Sequence, residues 1–467
     1  LTPFPLLGHN REYAYGLTMF ENDDVDFYYE KNNPQNANEY ETENGFKSYD
    51  IVEKCIKIKD EKDTVYQIKV SRHGPIMNDL IAHVNSEKPM AMQWIYTKLK
   101  NELMEVSYQM SHSKSLKEFK NGAKKLHAPG LNIMYGDAKD NIAWFASAKL
   151  YKYRNGINTK TVLDGASGKD EIVSYFDFSE NPQAINPSIN YVYSANNQPD
   201  SITNGLYPGY YLPEDRAKRI VELLEAKNDF TKEDVATMLY DVTSSKVPLI
   251  IENLEKSIDK SKLTASERKS LYAIKSWNGF HGEEEIAPTI YTRFIYEFLA
   301  RTFKDELGTS FEQFLNTPFQ DKVLAEQVAK KSSIWWDDIS TKNKTETKEE
   351  IVTKSFKKAI AFLQNQLGED VDHWKWNRVI SVEYEHPMGK VAALRSFFNV
   401  GPFKTRGGNA VINNQIFNLD STGVYKIVAG PSTRKVVDFS DVENSLGILP
   451  TGQSGNVFSD HYKDQAQ

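Results

Sequence analysis

Cysteine is nearly absent. Cys55 is the only one in 467 residues, which excludes an internal disulfide and every metal or iron–sulfur centre that needs several thiolates. No apolar run approaches the ~20 residues that span a bilayer, and mean hydropathy is −0.57. Positive charge is not in excess: 57 Lys and Arg against 64 Asp and Glu leave a formal charge of −7. That balance disfavours a nucleic-acid partner, whose affinity comes mainly from cations neutralising phosphates. His-Glu-x-x-His, Walker and dinucleotide glycine motifs are missing. Thr451-Gly-Gln-Ser-Gly-Asn456 approaches a nucleophile elbow, but Asn456 stands where the second glycine is required.

Apolar residues make up 40%, aromatics 12% and charged residues 26% of the chain, so it can bury a large core. Its length allows about three domains at ~150 residues each. Leu1 is not a start methionine and no basic leader precedes the apolar residues behind it; the expectation is a processed product, a fragment, or both.

Strand-like and helix-like blocks alternate along the chain. Val65 to Pro75 alternates at period two and ends at Gly-Pro, as a strand would. Ser115-Leu-Lys-Glu118 has capping-box spacing and opens a short helix towards Leu126. Leu131–Tyr135 and Ile142–Ala148 predict a hairpin around Ala138–Asn141, and Tyr191–Ser194 a further short strand. A helical block follows. Glu214–Lys227 places Ala217, Ile220, Val221 and Leu224 on one face, Thr231 caps a helix through Leu239, and Thr264-Ala-Ser-Glu267 is a second capping box. Ile290–Phe303 predicts a buried helix, Ser333–Glu350 an exposed polar loop, and the stretch after Trp374 a return to strands and turns. The order is that of an α+β protein with a helical insertion.

Few residues carry chemistry on their own spacing. Asp23 and Asp26 with the Val25 carbonyl can supply hard oxygen ligands to Ca²⁺, although the spacing is not that of an EF-hand and a solvated acidic turn fits as well. Asn196-Asn197 before Pro199 suits a turn; an asparagine amide at a strand end can also donate to a developing oxyanion. Arg216 opens a helix, where the macrodipole disfavours a cation, which points to a partner elsewhere. His73 and His386 beside Gly or Pro turns read as backbone-bonding turn residues.

Taken in order, these pieces resemble the penicillin acylase family. Gly8-His-Asn10, Tyr15-Gly16 and Asn22-Asp-Asp-Val-Asp26 look like its Gly-His-Asn…Trp-Gly…Asp-Asp-Val-Asp block. Arg72-His-Gly-Pro-Ile76, Ser194-Ala-Asn-Asn-Gln-Pro199 and Asp215-Arg-Ala-Lys-Arg-Ile220 follow in register. His386-Pro-Met-Gly389, Gly407-Gly408, Pro431-Ser-Thr-Arg434, Gly452-Gln-Ser-Gly455 and His461-Tyr-Lys-Asp-Gln465 complete the pattern.

The resemblance implies an N-terminal nucleophile hydrolase with a four-layer αββα sandwich. Residues 1–211 and 371–467 would belong to the core and 212–370 to a mainly helical insertion. A precursor cuts itself into a small α chain and a large β chain, and the new N-terminal residue of β, usually serine, attacks an amide with its own α-amino group as base. No Ser-Asn-x-Trp-like segment occurs in these residues, so the nucleophile is expected ahead of Leu1, and the residues aligned here are supporting ones. Met19 aligns with a backbone N–H donor to the oxyanion, Asn196 with the side-chain donor, and Arg216 with an orienting arginine. Asp23, Val25, Asp26 and Thr159 align with ligands of one structural Ca²⁺. The family's later aspartate ligand falls near Tyr211. Leu7, Leu17, Tyr108 and Leu131 align with the acyl pocket. The expected partners are the chain's own α chain and a small amide, either a penicillin-type side-chain amide or an N-acyl homoserine lactone, with no nucleic acid. The aliphatic lining leans towards a flexible or fatty acyl group. A rival reading is a non-catalytic, calcium-stabilised binding module on the same fold. Family habit suggests the periplasm or export.

Overall fold

The computed structural model describes residues 4–78, 80–81, 84, 86–199, 205–317 and 319–466. Two compact units divide the chain, Leu1–Leu212 and Pro213–Gln467.

The first unit is built on a five-stranded antiparallel sheet. In spatial order its strands are Gly8–His9, Tyr13–Met19, Leu131–Asp137, Ile142–Ser147 and Gln183–Ile185. The hairpin at its centre forms as the alternation predicts. Asp137 closes the turn by accepting from the Lys139 and Asn141 amides at 2.9 and 3.0 Å, and Asp140 takes the left-handed conformation (φ 62°). Tyr13, Tyr15, Ile133, Tyr135 and Phe145 point to one face and pack on Val106 and Met110 of the helix Leu103–His112 and on Phe119 of Leu116–Ala123. Ser115 caps the latter through the Glu118 amide, while the Glu118 carboxylate binds the Lys114 amide.

A second, three-stranded sheet orders Leu163–Asp164, Val25–Tyr29 and Met90–Trp94. Beside it the chain turns at Gly74, where φ is 146° and an added Cβ would lie 2.0 Å from the Met92 carbonyl oxygen. Only glycine fits that approach. The strand expected to end at Gly74-Pro75 spans Thr64–Val70, where Val70 bridges back to Pro75, and pairs with Asp50–Ile56 in a two-stranded ribbon on which every residue of 50–56, Cys55 included, is exposed.

The second unit combines helices with a four-stranded sheet ordered Val400–Lys404, Ile380–Tyr384, Tyr425–Ala429 and Ile416–Phe417. The expected buried helix spans Ala287–Leu307, with Ile290, Phe294, Phe298 and Leu299 in the core against Phe356 and Ile360 of Lys348–Leu367. Thr231 and Thr264 both close capping boxes, with Asp234 and Glu267. The helix expected from Glu214 spans Asp215–Glu225 and buries Ala217.

Two expectations fail. Tyr191–Ser194 pairs with no strand among the described residues; with Trp144 and Asn132 it lines a recess, because alternation specifies faces and not a partner. Ser333–Glu350 is not a solvated loop throughout. Trp336 and Glu346 are buried, and Thr347 starts the long helix inside it by capping Glu350.

Candidate active site

The Tyr13–Met19 strand runs out at Met19, level with Leu131 on the neighbouring strand. Two asparagine side chains converge on that end. Asn132 Nδ2 and Asn196 Nδ2 each donate to the Met19 carbonyl at 3.0 Å. Asn132 Oδ1 in turn accepts from the Trp144 indole at 3.0 Å. Asn196 takes the left-handed conformation (φ 62°), which asparagine tolerates better than most residues. Its turn is tied to the same strand one residue earlier, where the Ser194 and Thr18 hydroxyls lie 2.6 Å apart. Met19 and Asn196 are thus brought together by four polar side chains, of which only Asn196 stands out in the sequence. Asn132 was legible only as a polar residue inside an apolar strand.

Beyond Met19 the chain passes through a narrow gap. The Phe20 amide donates to the Gly130 carbonyl at 3.0 Å and the Asp23 amide to the Pro208 carbonyl at 2.9 Å. An added Cβ on Gly130 would lie 1.8 Å from Asn22 Oδ1 and 2.9 Å from the Phe20 carbonyl oxygen.

The acidic residues that follow are not solvated. Asp23 is 3% exposed and Asp26 1%. Asp26 Oδ2 accepts from the Tyr151 and Tyr153 hydroxyls at 2.8 and 2.6 Å, and Asp23 Oδ2 from the Thr159 hydroxyl at 2.5 Å. Tyr151 and Tyr153 sit at period-two spacing, which turns both phenols the same way. Burial pushes Asp23 up to about 6 against the Thr159 bond, with the Asp26 and Asp24 charges adding to it. Burial also raises Asp26, opposed by its two phenols, and raises Asp24, opposed by Trp94. The other oxygen of each ligand candidate, Asp23 Oδ1 and Asp26 Oδ1, is buried without a partner. Two partnerless buried carboxylate oxygens fit a cation. Among the described residues no group of three His, Cys, Asp or Glu side chains converges as a metal set, so carbonyl and hydroxyl oxygens would complete the shell. Val25 lies between the two aspartates, opposite Trp94. Tyr211, where the resemblance expects a third carboxylate, is a buried phenol with a partnerless hydroxyl, its pKa raised by burial and then by the Asp23 charge.

Of the acyl-pocket residues, Leu17 and Leu131 lie on the face of the sheet that meets the helices. Leu7 and Tyr108 are exposed, and the Tyr108 ring meets Phe4 edge-on at 5.2 Å. Arg216 is partly buried in the first turn of its helix, in the second unit.

His73 is not the backbone-bonding turn residue expected. Its Nδ1 lies 2.7 Å from Glu30 Oε1 and its Nε2 2.9 Å from Glu171 Oε1, and its ring stacks on Tyr28 at 3.8 Å. Arg72 completes the group, 2.9 Å from Glu171 and 2.5 Å from Glu43. Burial alone would lower the His73 pKa, but the bonds to Glu171 and Glu30 outweigh it and the net shift is upward. Glu30 and Glu171 lie far from His73 in sequence, so no local spacing announced the group.

A family model described as penicillin amidase matches residues 1–467. Acyl-homoserine lactone acylase QuiP of Pseudomonas aeruginosa is 24% identical over 504 aligned positions, covering 99% of this chain and 59% of that protein. Penicillin acylase 2 proenzyme of Pseudomonas sp. strain SE83 is 23% identical, covering 99% of this chain and 58% of that protein. The chain therefore spans less than two thirds of these relatives' lengths. The solved thermostable penicillin G acylase from Alcaligenes faecalis superposes with a TM-score of 0.71 at 18% identity, over 99% of this chain and 84% of that one.

Proposed function

The chain belongs to the penicillin amidase family, which it matches from end to end and whose α+β N-terminal nucleophile hydrolase fold it shares; on that basis we propose that it supplies the supporting half of an amidohydrolase site. In this reading self-cleavage of the precursor exposes a hydroxyl residue as the new N-terminus of the large β chain, and that hydroxyl attacks a side-chain amide. The acyl group passes to that hydroxyl and then to water, and the amine leaves. This chain would hold the oxyanion of each tetrahedral intermediate between the Met19 N–H and the Asn196 amide, while Arg216 orients the site. The observation that carries the reading is the 3.0 Å bond from Asn196 Nδ2 to the Met19 carbonyl, which uses one of the two amide N–H groups and fixes the direction of the other beside Met19. A donor oriented before the charge develops costs no reorganisation in the transition state.

Asp23, Asp26, the Val25 carbonyl and Thr159 would hold one Ca²⁺, which supplies charge neutralisation and no chemistry. Leu7, Leu17 and Leu131, aligned with Tyr108 as the acyl pocket, are aliphatic and lean towards a flexible or fatty acyl group over a flat aryl ring, which favours N-acyl homoserine lactones over penicillins with aryl side chains as substrates. Family habit places the enzyme in the periplasm or outside the cell. Among the described residues no helix is long and apolar enough to cross a membrane.

The test is Asn196→Ala in the complete processed protein. Turnover of an N-acyl homoserine lactone should fall about 10²–10³-fold with KM and melting temperature little changed. Turnover within a few-fold of wild type would remove Asn196 from the site.

A further inference from the structure

The first unit contains a recess beside the candidate oxyanion donors that the aligned acyl-pocket residues do not line. It lies on the face of the five-stranded sheet opposite to Leu17 and Leu131. Side chains alternate along a strand, so the paired residues Thr18 and Asn132 point away from those leucines. Trp144 shares the side of Asn132, whose Oδ1 accepts from its indole at 3.0 Å. The segment 187–199 supplies the rest of the lining, Tyr191 and Tyr193 included, and the recess has some 620 Å³ of space with its mouth. That is the size of a small-molecule site.

The recess is tied to the Met19 strand end by its own lining. Asn132 lines it and donates Nδ2 to the Met19 carbonyl at 3.0 Å. Ser194 lines it, and its hydroxyl lies 2.6 Å from that of Thr18. Asn196, the other donor to the Met19 carbonyl, sits in the same wall segment between the lining residues Ser194 and Asn197. A secondary amide is planar and trans, so its acyl carbon and its nitrogen substituent leave the C–N bond in opposite directions. An amide held at Met19 and Asn196 with its acyl chain over Leu17 and Leu131 sends its nitrogen substituent towards the other face, where the recess begins.

The lining is uncharged. Among the described residues that line the recess none is Asp, Glu, Lys, Arg or His. The rings of Trp144, Tyr191 and Tyr193 and the neutral amides of Asn132, Asn197 and Gln198 set its chemistry. Asn197 Oδ1 accepts from the Ala195 amide at 3.2 Å, and Gln198 Nε2 donates to the Tyr207 carbonyl at 3.1 Å, which fixes both side chains in place. A carboxylate entering here would give up water with no cation to meet it. An uncharged ring gives up little solvation and packs on the aromatic faces.

We propose that this recess receives the leaving-amine side of the substrate and selects an uncharged ring there, a lactone over an amine that carries a carboxylate, such as a penam nucleus or the ring-opened lactone. The inference rests on the amidase reading and adds to it the half of the substrate that the acyl pocket does not hold. It also gives the Tyr191–Ser194 segment a role: the chain that packs on the amine carries straight on into Asn196.

The experiment uses the complete processed protein and amides that share one decanoyl group: N-decanoyl homoserine lactone, ring-opened N-decanoyl homoserine, and decanamide as a reference with no substituent on nitrogen. The first two have the same carbon skeleton and differ in ring closure and charge. Expected is a kcat/KM for the lactone at least about tenfold above that for the ring-opened acid. Ile189 lines the recess and is 58% exposed, so it accepts a charged side chain without loss of the fold. Ile189→Lys should lower the lactone-to-acid ratio and Ile189→Glu should raise it, each by at least about threefold. A simple loss of packing would move both variants the same way. Hydrolysis of none of the amides would overturn the amidase reading, and this inference with it. Hydrolysis of any of them without preference for the lactone over the acid would overturn the recess assignment alone. So would a ratio that the Lys and Glu variants leave unchanged or shift in the same direction.

Discussion

His73→Gln offers the sharpest test of how the first unit is held together. Glu30 and His73 have side chains 0% and 1% exposed, with their polar atoms 2.7 Å apart. Glu30 Oε2 is already buried without a partner, so losing the imidazole also takes the one partner that Oε1 has among the described residues. Breaking a buried pair from one side costs about 3–5 kcal/mol, most of it the penalty of the stranded charge. Loss of the Tyr28 stack adds roughly 0.5–1.5 kcal/mol. In a unit of 212 residues, each kcal/mol moves the melting temperature by about 2–4 °C. At pH 6 the buried-pair cost alone should lower it by roughly 6–20 °C. Glu30→Gln with His73→Gln should recover much of the loss, since no charge is then stranded. The pH dependence has a definite sign. The folded His73 pKa is raised, so its contribution is complete below the ordinary histidine value and disappears as pH rises through the raised one. For Glu171, burial acts upward, but the His73 bond and the His73 and Arg72 charges lower the pKa overall. Its contribution is complete above the ordinary glutamate value and is lost as pH falls through the lowered one. The gap between wild type and His73→Gln should therefore be widest at mildly acid pH and narrow on both sides. A shift below about 2 °C at pH 6, or a gap that widens steadily with pH, would refute the ion-pair account.

Three further outcomes are expected. Chelation by EGTA should lower the melting temperature of the complete protein, and Asp26→Asn should reproduce part of that loss; a hundredfold excess of ion over Kd is worth ~2.7 kcal/mol, and a melting curve indifferent to EGTA would argue against the cation. Gly130→Ala should destabilise by about 2 kcal/mol or more, because its Cβ would meet the fixed Phe20 carbonyl oxygen at 2.9 Å as well as Asn22 Oδ1 at 1.8 Å, and urea unfolding would measure it. Thr264→Ala removes the hydroxyl that accepts from the Glu267 amide and should cost ~1 kcal/mol in the same assay.

What could be read along the chain was what short-range physics specifies. The Leu131–Ser147 hairpin, the caps at Ser115, Thr231 and Thr264 and the buried Ala287–Leu307 helix each rest on neighbours within a few residues, and each formed. Tyr191–Ser194 had the alternation of a strand but needed a partner that alternation does not name. The candidate site was legible as an ordered set of motifs, not as geometry. Asn196 and Met19 are 177 residues apart, and only the fold shows that one donates to the other. Tyr151 and Tyr153 carry no signal in the sequence, since nothing near them names Asp26 as their acceptor. Glu30, His73 and Glu171 were missed for a different reason. A charged triad assembled from three distant segments has no sequence period, and only burial distinguishes it from surface charge.

The ribbon of Asp50–Ile56 and Thr64–Val70 has a practical bearing through its one sulfur atom. Cys55 is the sole thiol of these 467 residues and lies on the exposed strand. A maleimide dye added to this chain therefore labels a single known position, and its anisotropy reports the swing of that ribbon against the tumbling of the whole molecule. Oxidation can join two copies of these residues through one bond only, Cys55 to Cys55, which brings the two Asp50–Ile56 strands near each other. Exposed Ile51, Val52, Ile56, Val65 and Tyr66 lie on the same ribbon, so a disulfide formed on storage would also bring two exposed apolar edge strands together, a hazard for sheet-like association.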